Sequence, residues 1–397
     1  MTSSWVRISL IIICLSLLSG CWNSNELDEL GIAVSVAIDK NDEGDYLVAV
    51  QVINPSEIAT DAPTNRPPVS TYSTTGETLL DAFRRLSAKS PRQIYFSQMR
   101  LVIIGSKLAE EGVMPSLDFL YRDHEFRTSF YVAVAKNAPA EVMLSIVTPY
   151  EKIPANKIMN SIDNVQKNWG VSKGVSIDKL IADVRDKGKS PVLPGIDLLG
   201  DPEVGNNMSN VENVDAPTKL EVDHLAAFKE DRLVGWLSEM ESQGLNYATG
   251  DVRSTIVTHP CDDEGTISVE ILRTQSSMKS KMDGSTPEVT IMVEAEGNVA
   301  EVDCKIDLGS PESIQEVNKE VEKQIEKTIQ SSVTAAQEEL ESDFLGLGSA
   351  VHRDNPTYWK SVEDEWDQQF TELDVSIEVK AKIRRKGNST QPINKEG

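Results

Sequence analysis

The chain has 397 residues, with 39 Lys+Arg against 63 Asp+Glu, a net charge of −24 and an isoelectric point near 4.6. That balance disfavours a nucleic-acid binder, which needs a basic footprint, and hydrophobic residues at 39% with charged residues at 26% describe a folded chain rather than a disordered one. The length exceeds one ordinary core and points to two or three domains, while only four cysteines (Cys14, Cys21, Cys261, Cys304) exclude a disulfide scaffold and a four-thiolate metal site.

At the N-terminus one positive charge, Arg7, precedes an apolar stretch over 8–18. The stretch is too short to span a bilayer and has the build of a signal-peptide core. It ends in Leu18-Ser19-Gly20-Cys21. This resembles the lipobox of bacterial lipoproteins, in which small residues fit the signal peptidase and the cysteine thiol carries a diacylglyceryl group. The resemblance implies cleavage between Gly20 and Cys21, with residues 1–20 removed as a signal peptide and Cys21 becoming an N-acylated S-diacylglycerol cysteine. No polybasic patch is available to hold so acidic a body to an anionic surface. The acyl chains, palmitate or similar, would be the whole anchor, and lasting attachment takes two of them.

Residues 30–39 and 46–54 are β-branched and apolar around the turn cluster 40–45, which predicts a hairpin. Pro55, Pro63, Pro67 and Pro68 mark a loop. A strand at 69–74 leads to a helix at 76–88, with Leu79, Leu80, Phe83 and Leu86 on one face. A buried strand is expected over 94–104, a helix over 106–121, a strand over 128–135 and a helix opened by Pro139. The stretch to 190 reads as partly helical and polar. Residues 199–218 are rich in Gly, Asn, Asp and Pro, and read as a linker. Strand, turn and strand follow over 220–238, then strand-like segments at 252–259, 266–281 and 288–304. A long amphipathic helix is expected over 311–342, with Ile314, Val317, Val321, Ile325 and Ile329 in register. A short helix near Pro356 carries Trp359 and Trp366. From Leu373 to Ile383, apolar and polar residues alternate as in a half-buried strand. The tail 387–397 is polar and expected to be disordered.

Strands joined by tight turns, with helices clustered between them, predict an α+β, multi-domain architecture of antiparallel or mixed sheets flanked by helices, after the cleaved lipoprotein signal. The expected division is an N-terminal α+β domain at 21–198, possibly of two subdomains, a linker at 199–218, and a C-terminal α+β domain at 219–386.

No catalytic constellation emerges from the residues. His124, His224, His259 and His352 show no zinc-helix spacing and are far apart in sequence. Gly346-Leu347-Gly348 follows a helix and reads as a cap and turn, not a dinucleotide loop. Asp39, Asn41, Glu43 and Gly44 begin like a calcium loop, but Val50 stands where the closing acid belongs, which leaves a solvated hairpin turn. Arg122, Asp123, Glu125 and Arg127 around His124 read as an ion-paired segment. Cys261 and Cys304 bracket a predicted hairpin. Export permits a disulfide between them, although the expected pairing does not set them directly opposite. No catalytic residue, cofactor site or metal site is therefore assigned.

An ordered set of motifs follows Cys21-Trp22-Asn23. It comprises Glu26-Leu27-Asp28-Glu29-Leu30-Gly31-Ile32-Ala33, Ile38-Asp39, Gln51-Val52-Ile53-Asn54-Pro55, Thr75-Gly76-Glu77-Thr78, Leu101-Val102-Ile103-Ile104-Gly105, Leu117-Asp118-Phe119-Leu120 and Ala227-Phe228-Lys229-Glu230-Asp231-Arg232-Leu233-Val234-Gly235. Together they resemble the Ger(x)C family of spore germination lipoproteins across 21–386. One departure is Asn23-Ser24-Asn25, where many members carry an acid and then basic residues. The resemblance implies the C subunit of a nutrient germinant receptor, working with a membrane A subunit and a transporter-like B subunit. It implies placement on the outer face of the spore inner membrane, no enzymatic activity and no cofactor. Two other readings compete. A solute-binding lipoprotein of an importer would show two lobes of βαβ units around a cleft. A cell-wall hydrolase would show converging carboxylates or a metal.

Overall fold

A computed structural model describes residues 29–58, 67–261 and 265–385, together with Trp5. The first sheet has ten strands: β1 (Leu30–Lys40), β2 (Tyr46–Ile53), β3 (Val69–Gly76), β4 (Gln93–Tyr95), β5 (Leu101–Gly105), β6 (Tyr131–Ala135), β7 (Val192–Leu199), β8 (Lys219–Glu221), β9 (Leu225–Lys229) and β10 (Arg232–Leu237). Its main order is β10-β9-β7-β6-β5-β1-β2-β3, with β4 beside β1 and β8 beside β7. The middle strands β1, β5, β6 and β7 are mutually parallel, and antiparallel pairings flank them on both sides.

Helices cover both faces of this sheet. On one side lie α1 (Leu79–Arg85), α2 (Ser106–Glu111), α3 (Met114–Arg122) and α6 (Ile177–Arg185), and on the other α4 (Ala140–Ser145) and α5 (Pro154–Asn168). This double cover explains why β5 reads Leu-Val-Ile-Ile-Gly without alternation. Val102 and Ile104 enter one core, while Leu101 and Ile103 enter the other. The single strand expected over 94–104 is in fact two, β4 and β5. Both pair with β1 and both are parallel to it. The helix expected over 106–121 is also two, α2 and α3. Pro115 sits in the first turn of α3, where its missing N–H costs nothing, but inside a continuous helix it would break the ladder.

The second sheet has four strands in the order β11 (Thr255–Pro260), β12 (Thr266–Asp283), β13 (Thr286–Val302) and β14 (Asp374–Arg385). Before it comes α7 (Glu239–Thr249). Between β13 and β14 come α8 (Pro311–Thr334), α9 (Leu347–Asp354), α10 (Pro356–Val362) and α11 (Trp366–Thr371). Ser310 caps α8 by accepting from the N–H groups of Glu312 and Ser313. Val317, Val321, Ile325 and Ile329, four residues apart, form the buried stripe of α8 against this sheet's core. β14 returns parallel to β13. Glu322 and Asn318 of α8 accept from the N–H groups of Ala381 and Ile383 at 2.9 and 3.0 Å, and so occupy donors of an edge strand.

The fold is α+β with mixed sheets, as expected, but the interval 199–218 is not a boundary between the sheets. A four-residue helix at Pro202–Gly205 and a 3₁₀ turn at Met208–Val211 fill it, and β8, β9 and β10 then rejoin the first sheet. Asn210 is fully buried there. Its amide donates to Val147 O and Thr218 O and accepts from Thr218 N–H. The polar composition of the interval thus serves local hydrogen bonding rather than chain freedom. Moreover Val192, Leu225, Ala227 and Leu237 of the first sheet belong to the core that α8 and the second sheet share.

Cys261 and Cys304 form a disulfide, with Cα atoms 6.5 Å apart. They need not face each other across one ladder. β11 and β13 flank β12, and the two cysteines lie just beyond the strand ends, where Pro260 pairs with Thr266 and Val302 with Ile267.

Candidate functional site

Gly20 and Cys21, the expected cleavage and lipidation positions, lie outside the described residues, as does the tail 387–397. The Arg122 cluster is local and solvated: Arg122 grips Asp118 through two hydrogen bonds of 2.7 and 3.2 Å, and His124 is 95% exposed at its side chain. The 40–45 turn is closed by Asn41, whose side-chain oxygen accepts from the N–H groups of Glu43 and Asp45.

The parallel strands β1, β5, β6 and β7 bring their carboxyl ends to one edge, the place where ligands bind in open α/β sheets. Register places Ile38, Ile104, Val134 and Gly195 side by side. The next residues therefore line the edge, beginning with Asp39. Its carboxylate sits at the start of α4, 3.3 Å from the N–H of Glu141. Gly105 on β5 makes room for it, since a Cβ there would lie 1.5 Å from Asp39 Oδ1. Burial pushes the Asp39 carboxyl up to about 6, against the N–H groups of Glu141 and Ala140, which favour its charged form.

That shift has a sign. A carboxyl whose folded pKa is raised stabilises the fold fully below its unfolded value, near 4, and loses that contribution as pH rises through about 6. Asp39→Asn keeps an acceptor for the helix start and cannot ionise. Its melting point should match the wild type near pH 4 and exceed it at pH 7, by roughly 2–3 kcal/mol of stability for a shift of about two units. Parallel melts of both proteins across this range check it, and a gap that does not widen with pH would refute it.

Three strands away, the same edge holds Asp197 on β7, with Asp223 and His224 between β8 and β9. His224 Nδ1 meets the carboxylate of Asp223 and lies 3.3 Å from Asp197 Oδ2. The ligand atoms of these three residues lie within 4.8 Å of one another, a grouping able to hold a metal ion. Lys136, just after β6, is 3.9 Å from Asp197. The Trp236 ring packs edge-on to His224 at 5.1 Å. Only the dipeptide Asp223-His224 is visible in sequence. Asp197 lies across the supposed linker and is brought in by the antiparallel pairing Asp197↔Glu221, so sequence spacing could not reveal the trio.

A second feature lies where the two sheets join. Arg185, Lys187, Lys189, Asp231, Asp364 and Asp367 help line a cleft of about 490 Å³. Lys187 pairs with Asp364 at 2.7 Å, and Lys229 with Asp367 at 3.5 Å. At its floor Asp343 is buried, accepting from the backbone N–H groups of Gly346, Leu347 and Gly348 at 2.8, 2.9 and 2.7 Å and from Trp366 Nε1 at 3.0 Å. Burial pushes this carboxyl up to about 6, opposed by these four donors. The expected cap and turn at Gly346-Leu347-Gly348 is thus the start of α9, and the negative group at its amides is the protein's own. Ser190 N–H donates to Asp343 O and Ser349 N–H to Gly188 O, tying the segment before β7 to this turn. The arrangement makes a joint.

Family comparison divides the chain within the first sheet rather than between the two sheets. Residues 23–198 match the family "Spore germination protein N-terminal domain", and residues 223–387 match "Spore germination B3/ GerAC like, C-terminal". The chain is 31% identical over 392 residues to spore germination protein KC of Bacillus subtilis (strain 168), covering 97% of this chain and 96% of that protein. Against spore germination protein B3 of the same organism it is 23% identical, with 95% and 96% covered. The crystal structure of the GerBC protein superposes with a TM-score of 0.53 at 20% identity, over 88% of this chain and 96% of that one.

Proposed function

Because this chain belongs to the Ger(x)C, or GerAC-like, family of spore germination proteins, we propose that it is the lipoprotein C subunit of a spore nutrient germinant receptor. The observation that carries this is the match to spore germination protein KC over nearly the full length of both chains. Its partners are a membrane A subunit, a transporter-like B subunit and the lipid bilayer. It sits on the outer face of the spore inner membrane, held by acyl chains on Cys21. The Leu18-Ser19-Gly20-Cys21 box supports that anchor. None of the helices among the described residues is long and apolar enough to cross a membrane.

The role is assembly rather than catalysis. The buried carboxylate of Asp343 accepts from three consecutive helix-start amides, work that holds a turn in place. Family membership supports this reading over that of an importer's solute-binding lipoprotein.

Deleting the gene should abolish the loss of spore optical density with one set of nutrients and leave the response to a receptor-independent trigger intact. Equal failure with both triggers would place the protein downstream, in cortex breakdown or core hydration, and the receptor reading would fall.

A further inference from the structure

We propose that Asp197, Asp223 and His224 form a zinc site at the carboxyl edge of the first sheet. The ligating nitrogen is fixed by packing. His224 is 5% exposed, and its Nε2 is buried without a partner. Nε2 points at Gly195, where a Cβ would lie 2.5 Å away, and Trp236 closes the same side. The His224 carbonyl also accepts from Gly195 N–H at 3.1 Å, which pins the residue to β7. Nδ1 is therefore the ring nitrogen that can serve a ligand, and it faces both carboxylates.

Two carboxylates and one ring nitrogen converge here, a donor set that one cation can share. A tetrahedral zinc ion with bonds of about 2.0–2.1 Å sets neighbouring donors about 3.3 Å apart. Nδ1 and Asp197 Oδ2 are already 3.3 Å apart. Only Asp223 must move, and its side chain is 57% exposed. One imidazole nitrogen with two carboxylate oxygens suits zinc, whereas calcium and magnesium favour all-oxygen sets. The Lys136 ammonium lies 3.9 Å from the same Asp197 Oδ2, so the ion takes over that oxygen from a long ion pair. Bound here, the ion ties β7 to the segment between β8 and β9, where the second family region begins. Its fourth position faces the side of exposed Asp223 and is open to water.

The test uses the full chain, untagged, purified in detergent and stripped with a chelator. Calorimetric titration with zinc should give one ion per chain, and calcium should give no binding. Asp223→Asn and His224→Gln should each weaken zinc at least about tenfold. His224 is buried and its variant can fail to fold, so the exposed Asp223 carries the decision. Melting points of the wild type should rise on zinc addition, with the rise reduced in Asp223→Asn. No zinc binding by the wild type, unchanged affinity in Asp223→Asn, or calcium binding in place of zinc would each overturn the proposal.

Discussion

Asp343→Ala is expected to cost about 3–5 kcal/mol of folding stability, the combined cost of several buried donors left without an acceptor at about 1–3 kcal/mol each. The side chain is 3% exposed and collects three consecutive backbone N–H groups and the Trp366 indole. Alanine leaves all four donors without this acceptor in a place closed to solvent, at about 1 kcal/mol or more each. The damage should extend beyond one turn. The same turn holds Ser190 through the Asp343 carbonyl, and Gly188 packs so tightly on it that a Cβ would lie 2.6 Å from the Gly348 carbonyl carbon. Asp343→Asn keeps one acceptor oxygen but turns an amide N–H₂ toward other donors, so it should fall between alanine and wild type. Chemical denaturation of the three proteins at pH 7 measures this. A loss under about 1 kcal/mol for alanine would show that water takes over the donors and that the joint is not held by this residue.

Cys21→Ala is expected to move the protein from the membrane fraction to the soluble one. At about 0.8 kcal/mol per buried methylene, one long acyl chain gives only reversible binding, while the two chains of a diacylglyceryl group hold firmly. The net charge of −24 offers no electrostatic substitute at an anionic surface. Without the thiol, neither chain can be attached. Fractionation of spore membranes, with metabolic labelling by a fatty acid, reads both consequences. Equal labelling of variant and wild type would place the lipid elsewhere. Retention of an unlabelled variant in the membrane would mean that partner subunits or the uncleaved apolar segment 8–18 hold it.

The local elements were legible wherever a short-range pattern decides them. Alternation drew β14, four-residue spacing drew α8, and the turn cluster at 40–45 drew the β1–β2 hairpin. Family membership was also legible, because an ordered set of short motifs is specific where no single one is. Tertiary structure decided the rest. Whether 94–104 is one strand or two depends on β1, which pairs with β4 and β5 at different places along its length. Residues 199–218 look like a free linker because Asn, Gly and Asp are polar, yet Asn210 is buried and satisfied by partners as far away as Val147. The Asp197–Asp223–His224 trio and the four donors around Asp343 are likewise products of pairing between distant segments. The sequence by itself determined the acidic charge, the family and the periodic elements, since each is carried by neighbouring residues or their order. The sheet order, the joint and the grouping of the trio were settled only by long-range packing, because the choice of which distant strands pair leaves no mark on local spacing.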